Sequence, residues 1–470
     1  MTGSSIPRRE WLRRSALATA ALAPAWCTPL RAAPAGGRFH LSTFSADVTP
    51  PLGSMLFALK PAKRIVDPLS ARGFVLAGAE TPLVFVSVDW LEIRNDAYDR
   101  WRSVLAAAAG TTAERVLVCC VHQHDAPIAD LRAQRIIDKA GVDSKVIDLE
   151  FHEAALQRVA QSLREAMKKK RPISHLGLGQ GRVRGVASNR RVVLPDGRVD
   201  YGRGSSSGKN PVYREAEDGT IDPWLKTISF WDGDRAVAAL SCYATHPMSY
   251  YGGSEVSADF PGLARARRQA DEPAVFQIYA SGCSGNVTAG KYNNGSPENR
   301  PVLAGRLHEG MVAAWNATDR QPLTQASFRC TKLRLEPRGS PGFTDADLRR
   351  TLLEKSATPF SAFARCKAAI GLSWRERVER GQPIDVPAID FGPAQLLLLP
   401  AESYVEYQLF AQSARPGSFV MAVGYGESAP GYIPVEKAWA ENDSNLRDWC
   451  WVGPGAETAM KEAIVEALKR

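Results

Sequence analysis

Three short apolar stretches in this chain run straight into polar, chemically capable residues. Residues 116–121 lead into His122-Gln123-His124-Asp125, residues 240–244 into Thr245-His246-Pro247, and residues 275–280 into Ser281-Gly282-Cys283-Ser284-Gly285-Asn286. A continuous apolar run of this length, bounded by turn residues, reads as a strand buried on both faces. Buried strands of that kind need helices on their faces. The expectation is therefore an α/β fold of mixed sheets with helices packed on them and a metal site at the strand carboxyl ends, where ligands bind in open sheets.

The rest of the chain fits that class. Residues 83–88 read as another buried strand, 96–109 as a helix stopped by Gly110, and 148–169 as a long amphipathic helix. Residues 227–231 and 236–244 read as strands joined by the Asp232-Gly233-Asp234 turn. The Gly-, Arg- and Ser-rich stretch over 179–209 reads as long functional loops. Helices are expected over 301–315, 344–355, 363–379 and 457–469, and strands over 395–399 and 419–423. No internal repeat, heptad or low-complexity tract is visible.

Residues 1–35 carry a targeting signal. Ser5-Ile6-Pro7-Arg8-Arg9-Glu10-Trp11-Leu12 resembles a twin-arginine export motif; an apolar run over 16–25 follows, too short to span a bilayer, and then Ala32, Ala33 and Ala35. The expectation is a leader over 1–35, a single domain over 36–470, and a periplasmic or secreted product with no transmembrane segment. The leader also explains the charge. Its five arginines and one glutamate supply +4 of the formal +9, and no later basic run exceeds Lys168 to Arg171. The charge is a solvated surface, and nucleic acid is not an expected partner. With 44% hydrophobic and 23% charged residues, 470 residues can bury a large core. Oligomeric state is not written in this composition.

Eight cysteines are present, seven beyond the leader, with no C-x-x-C pair. Cys119 and Cys120 face opposite ways if their run is a strand. One disulfide among Cys242, Cys283, Cys330, Cys366 and Cys450 is compatible with export, and the odd number leaves a free thiol.

The histidines carry the chemistry. Alternate residues of an extended chain face the same way, so His122 and His124 can reach one site, and His246 leaves a second strand end. The turn over 281–288 is made of small residues that let backbone approach a ligand. A metal is the favoured occupant, because imidazole is its commonest neutral ligand.

Seven motifs, in order, resemble those of the neutral/alkaline ceramidases: Ala46-Asp47-Val48-Thr49-Pro50-Pro51-Leu52-Gly53, Ala71-Arg72-Gly73-Phe74-Val75-Leu76, Phe85-Val86-Ser87-Val88-Asp89, His122-Gln123-His124, Ser188-Asn189-Arg190-Arg191, Ala244-Thr245-His246-Pro247 and Gly285-Asn286-Val287-Thr288. The resemblance covers about residues 39–443. It implies an N-acyl amide hydrolase with zinc held by His122 and His246, by a glutamate matching Glu402 in Leu399-Pro400-Ala401-Glu402, and by a tyrosine matching Tyr432 in Pro430-Gly431-Tyr432-Ile433-Pro434. Glu406 and Tyr425 are the competing assignments. His124 falls on the accompanying site histidine. Arg72, Asn189, Arg190 and Asp259 are candidate substrate-binding residues.

The departures from the family bear on mechanism and substrate. Its His-Thr-His-Ser-Gly-Pro reads His122-Gln123-His124-Asp125-Ala126-Pro127 here, which adds an acid able to orient a histidine. Its Gly-Asp-Val-Ser-Pro-Asn, whose serine is the proposed nucleophile, has Thr288 at the serine position. A β-branched hydroxyl crowds the attacking oxygen, so metal-activated water is expected to attack, with His124 or Asp125 moving the proton and Thr288 hydrogen-bonding. The resemblance ends soon after the tyrosine motif, without the appended β-rich domain of true ceramidases, and a soluble or short-chain acyl amide is expected over membrane-embedded ceramide. Two other readings remain: a catalytically inactive metal-containing binding protein on the same scaffold, and a serine-type esterase, for which Gly282-Cys283-Ser284-Gly285 is only a near miss to a nucleophile elbow.

Overall fold

Strand pairing resolves the alternating pattern, among the described residues, into three large sheets built on one plan and several two-stranded ladders. The computed structural model describes residues 39–469 except 58, 59, 79, 356 and 357, so the leader expected over 1–35 lies outside the described residues. In the first sheet Phe39–Asp47, Ser70–Ala77 and Leu83–Val88 form an antiparallel meander, and Val116–Cys120 joins the third strand in parallel. Helix Asn95–Ala109 makes the crossover, helix Leu149–Met167 packs on the first strand, and Arg171–Ile173 closes that edge. The second sheet repeats this with His175–Arg182, Trp224–Asp232, Arg235–Tyr243, helix Asp259–Asp271, parallel strand Phe276–Ser281, helix Asn299–Asn316 and edge strand Asp319–Pro322. The third consists of Ser327–Leu333, Ile384–Asp390, Ala394–Leu398, helix Val405–Ala414, parallel strand Phe419–Val423 and helix Ala456–Ala467.

No repeat is visible in the residues themselves. What repeats is topology. The connections between first and second strands, over 48–69, 183–223 and 334–383, differ in length and content, so no period survives in the residues.

Burial explains why these segments take these forms. Every residue of Leu83–Val88 is buried, because its inner face meets the other sheets and its outer face meets helices. Phe74, Phe85, Ile228, Leu240, Leu396 and Val423, drawn from all three sheets, share one inner core. On the outside of the first sheet, Trp101, Leu105, Leu156 and Val159 bring the two helices down on it. The helix over 95–109 ends where Gly110 adopts φ +68°, as its glycine predicts, and the helix from Leu149 starts with Asp148 accepting from the Phe151 N–H. Cys119 packs in the inner core and Cys120 in the outer one, on opposite faces as expected. All seven described cysteines are free thiols, so the disulfide allowed above is not formed. Cys242 lies in the inner core, whereas Cys283, Cys366 and Cys450 lie in the outer layer of the third sheet. The loops read over 179–209 begin after Arg182 and hold two short ladders, Ser188–Asn189 with Val287–Thr288 and Val192–Val193 with Val199–Asp200. Among the described residues, no helix is long and apolar enough to cross a membrane.

The carboxyl ends of the three parallel pairs meet. The Cys120 N–H donates to the Tyr425 carbonyl at 2.9 Å, the Gly424 N–H to the Ser281 carbonyl at 2.9 Å, and Ser281 Oγ to the Val121 carbonyl at 2.7 Å. Beyond this junction each third-strand exit lies in parallel register with a fourth-strand exit: Glu92 with Ile128, His246 with Thr288, and Glu402 with Tyr432.

Candidate metal centre

The junction places two imidazoles and a carboxylate together. His122 Nε2 lies 3.1 Å from His246 Nε2, Glu402 Oε2 lies 3.4 Å from the first and 3.0 Å from the second, and all three residues are buried. Each ring is aimed from behind by a backbone carbonyl: His122 Nδ1 pairs with the Leu91 carbonyl at 2.8 Å, and His246 Nδ1 with the Ser284 carbonyl at 2.7 Å. A carbonyl can only accept, so both Nδ1 atoms carry a hydrogen and both Nε2 atoms are turned to the junction. Two ring nitrogens and a carboxylate oxygen face one another in a dry interior, an arrangement suited to a cation between them. Glu92 and His124 flank the three, each with a ligand atom within 4.8 Å of its neighbours in a possible metal-holding group.

Burial alone would raise the Glu402 carboxyl, but His122 and His246 outweigh it and hold it well below the usual carboxylate range. Burial pushes the His246 imidazole down to about 4 against the pull of Glu402. Burial also lowers His124, helped by His122 and His246. The neutral imidazoles suit a metal.

The local backbone departs from the sequence expectation at His122. The strand expected over 115–121 stops at Cys120, and His122 turns away with φ +73°, so strict alternation does not bring His122 and His124 together. The turn does, placing their rings 5.3 Å apart. Tyr425, at φ +57° after the third sheet's fourth strand, stacks its ring on His122 at 4.2 Å. Its hydroxyl reaches Ser284 Oγ at 2.7 Å and His246 Nδ1 at 3.3 Å, on the side of the ring away from Nε2. Tyr432 instead lines the open cleft with His122, His124 and Glu402, and its hydroxyl accepts from Arg190 Nη1 at 2.7 Å. Burial raises the Tyr432 phenol and Arg190 counteracts it. Glu406 accepts from Asn286 Nδ2 at 2.8 Å and lines a different cavity with Asn189 and Arg191.

The remaining expected site residues divide. Arg190 reaches the cleft through Tyr432 and Asn445 Oδ1, at 3.2 Å. Asp125 contacts no histidine; its carboxylate accepts from the Gly252 N–H at 2.9 Å and faces Arg300 at 3.7 Å, and burial pushes it up to about 7. Thr288 Oγ1 donates to the Gly204 carbonyl at 3.2 Å and accepts from the Gly290 N–H at 3.0 Å, with no imidazole nitrogen beside it. Arg72 is tied to the Gln277 carbonyl and Gln269 in another cavity. Asn189 donates to the Thr220 carbonyl, and Asp259 accepts from the Ser249 N–H and the Phe260 N–H. Arg72 and Asn189, which sit in matched motifs, and Asp259, a further candidate, thus have their polar groups engaged in holding the chain.

Sequence reasoning missed the cleft wall. Phe57, Leu91, Met248, Tyr251, Phe363 and Trp449 line it, with Asn445 and Asp448 at the rim and a volume of about 320 Å³. The aromatic pair in Trp449-Cys450-Trp451, two indoles outside any expected element, was the one local signal available.

No family model and no curated protein sequence matches the chain. Among solved structures, a neutral ceramidase from Pseudomonas aeruginosa aligns over 92% of this chain and 74% of its own, with TM-score 0.66 and 19% identity. A ceramidase complexed with C2 aligns over 92% of this chain and 75% of its own, with TM-score 0.68 and 18% identity. At that sequence distance the likeness is one of architecture, and the chain has the fold of the neutral ceramidases.

Proposed function

We propose that the protein is a zinc-dependent hydrolase of an N-acyl amide, with His122, His246, Glu402 and Tyr432 holding the metal. One observation carries this reading: the Nε2 atoms of His122 and His246 and a carboxylate oxygen of Glu402 converge at the head of an open, aromatic-lined cleft. Donors around tetrahedral zinc, with bonds of about 2.0–2.1 Å, sit about 3.3–3.4 Å apart. The separations of 3.0–3.4 Å fit that shell without rearrangement. Tyr432, in register with Glu402 and facing the cleft, would add a fourth protein donor, and the cleft side of the ion would stay open to water or substrate.

Zinc at this site would polarise the acyl carbonyl and lower the pKa of water. The chain's own residues supply the rest. His124 lines the cleft beside the two metal-facing histidines, and burial, helped by them, lowers its pKa, so its neutral imidazole would accept a proton from the attacking water and return it to the departing amine. Arg190 donates to the Tyr432 hydroxyl and favours its phenolate form. Asp125, bound to Gly252 and facing Arg300, holds the loop beside Tyr251 and is set aside as proton carrier. Thr288 has no base beside its hydroxyl, and Ser284 bonds Tyr425 and the Gly282 carbonyl, so neither is an activated nucleophile. A cleft of about 320 Å³ is at the small end for ligand sites and favours a short acyl amide over a two-chain lipid. Export through the twin-arginine leader, to the periplasm or beyond, belongs to the same proposal.

Metal analysis of purified protein together with hydrolysis of short- and long-chain N-acylsphingosines tests the assignment. One zinc per chain and faster cleavage of the short-chain amide support it. Bound zinc without hydrolysis of any acyl amide or ester would favour the inactive binding protein, and hydrolysis by metal-free protein would favour the serine-type reading.

A further inference from the structure

The residues that follow His246 form a cleft wall fastened from behind. Arg300, buried at the start of helix Asn299–Asn316, commits each of its three nitrogens to this segment and its continuation: Nε donates to Ser249 Oγ at 2.9 Å, Nη2 to the Tyr250 carbonyl at 2.8 Å and Nη1 to Ser257 Oγ at 2.8 Å. Its guanidinium also lies 3.7 Å over the Tyr250 ring. Asp259 accepts from the Ser249 N–H at 3.0 Å and Asp125 from the Gly252 N–H at 2.9 Å, and these carboxylates face Arg300 at 3.4 and 3.7 Å. Asn293 Nδ2 holds the Met248 carbonyl at 3.1 Å. Buried ion clusters add little stability over apolar packing of the same volume. This one bonds none of His122, His246 and Glu402, so its contribution is the position of residues 248–252.

Tyr250 and Tyr251 leave that segment in different directions. The first ring lies under Arg300, whereas the second lines the cleft, 4.8 Å from His124 and 5.9 Å from Phe57. The Tyr251 hydroxyl has no hydrogen-bond partner among the described residues. Most of the polar wall is differently placed: Tyr432 and Asn445 accept from Arg190, and Asp448 pairs with Lys367. Outside the metal-facing groups and His124, the uncommitted polar side chains of the cleft are the hydroxyls of Tyr251 and Ser444.

Resting on the amide-hydrolase reading, we infer that Tyr251 is a substrate-contacting residue whose hydroxyl donates to a neutral oxygen on the amine half of the substrate, and that Arg300 is the positioning residue that sets it. His124 returns a proton to the departing amine in that reading. Tyr251 is its ring neighbour, which puts the hydroxyl on that side of the amide. No arginine or lysine lines the cleft, so a neutral acceptor suits it better than a carboxylate.

Two isosteric amides, N-(2-methoxyethyl)acetamide and N-butylacetamide, differ by an ether oxygen in place of a methylene, and that oxygen can only accept. Ligand-observed NMR titration of the zinc-loaded protein gives both dissociation constants without turnover, and hydrolysis of the same pair is followed alongside. Tyr251→Phe should weaken the ether amide about three- to tenfold and leave the butyl amide within about twofold, with zinc content unchanged. Arg300→Lys cannot reach Ser249, Ser257 and Tyr250 together, so it should shift the ratio the same way, and combining it with Tyr251→Phe should shift it no further. A merely structural role would weaken both amides alike and leave their ratio unmoved. Tyr251→Phe removes one partnerless hydroxyl and folds whether or not the lysine variant does, and Ser249→Ala, which cuts a single tie to Arg300, reads the positioning effect where the lysine variant fails to fold. An unchanged ratio in Tyr251→Phe, a shift produced by Ser444→Ala instead, or binding of neither amide by the wild type overturns the contact. A ratio unmoved in Arg300→Lys, or in Ser249→Ala where that is the variant read, overturns the positioning role. A ratio that depends on Tyr251 in a protein that cleaves neither amide supports the contact and overturns the reaction proposed above.

Discussion

Glu427 anchors the segment that carries Tyr425 and Tyr432, and its burial makes a quantitative prediction. Its Oε1 accepts from the Asn95 N–H at 2.8 Å and the Ala429 N–H at 3.0 Å, while Oε2 has no hydrogen-bond partner and faces Arg377 at 3.7 Å. Burial outweighs these attractions and pushes the carboxyl from 4.5 up to about 7. Between those two values the folded chain keeps a proton that the unfolded chain has released, so stability from this group falls as pH rises through the window and levels off above it. Two and a half units at about 1.4 kcal/mol each give a penalty of roughly 3 kcal/mol above pH 8. Glutamine keeps an acceptor for both N–H groups and carries no charge. Glu427→Gln should therefore match the wild type near pH 5 and exceed it by about 2–3 kcal/mol at pH 8. Urea unfolding followed by tryptophan fluorescence at pH 5, 6.5 and 8 measures the difference. A gap that stays constant over that range, or that turns against the variant at pH 8, refutes the buried-charge reasoning.

Three further outcomes follow from the site. Glu402→Gln should weaken zinc retention by at least about 100-fold in a chelator competition, and unchanged retention would remove Glu402 from the metal. Arg190→Lys cannot hold Tyr432 and Asn445 together; kcat should fall about 10- to 100-fold with KM within about threefold, and an unaltered kcat would count against the phenolate role. Thr288→Ala should cost about 1–2 kcal/mol, because the Gly290 N–H loses its acceptor, while zinc content and most activity remain. Abolished activity in that variant, with rescue by Thr288→Ser and unchanged zinc, would identify the hydroxyl as nucleophile.

How much of this was legible in sequence depends on whether the determinant was local. Strands 83–88 and 116–120 show themselves because two-sided burial leaves no room for polar residues, and the helix over 95–109 shows its own stop at Gly110. His246 could be placed because it lies just past such a strand, whereas Glu402 was assigned through the resemblance of Leu399-Pro400-Ala401-Glu402 to a family motif. The convergence of His122 with His124 was expected for a different reason from the one observed: an alternation argument assumes extended backbone, and His122 is left-handed. The threefold plan was hidden because strand pairing repeats while connection lengths do not. Phe57, Phe363 and Trp449 come from separate connections, and no local pattern links residues brought together only by the closure of three sheets. Arg72 and Asn189 sit in motifs that match, yet their polar groups are engaged in holding the chain. A matched motif reports what the fold needs as readily as what the reaction needs.

The repeated plan is used asymmetrically, and that asymmetry separates the metal from substrate choice. Two residues past the fourth strand, the first sheet offers His122 to the centre, while the third sheet uses the same left-handed position for Tyr425, whose ring supports His122 from behind. At the third-strand exits, His246 and Glu402 face the centre, and Glu92 turns its oxygens to Arg94 and Trp449 instead. The donors are thus fixed by strands whose inner faces share one core, where a displaced side chain in any sheet is felt at the junction. The cleft mouth is built differently. Phe57 and Phe363 arrive on connections between strands, the first on a loop and the second near the start of helix Pro359–Glu379. On the proposed reading, changes there should alter which substrate enters and leave the imidazoles where they are, whereas loosening the inner core should cost metal retention before it alters specificity.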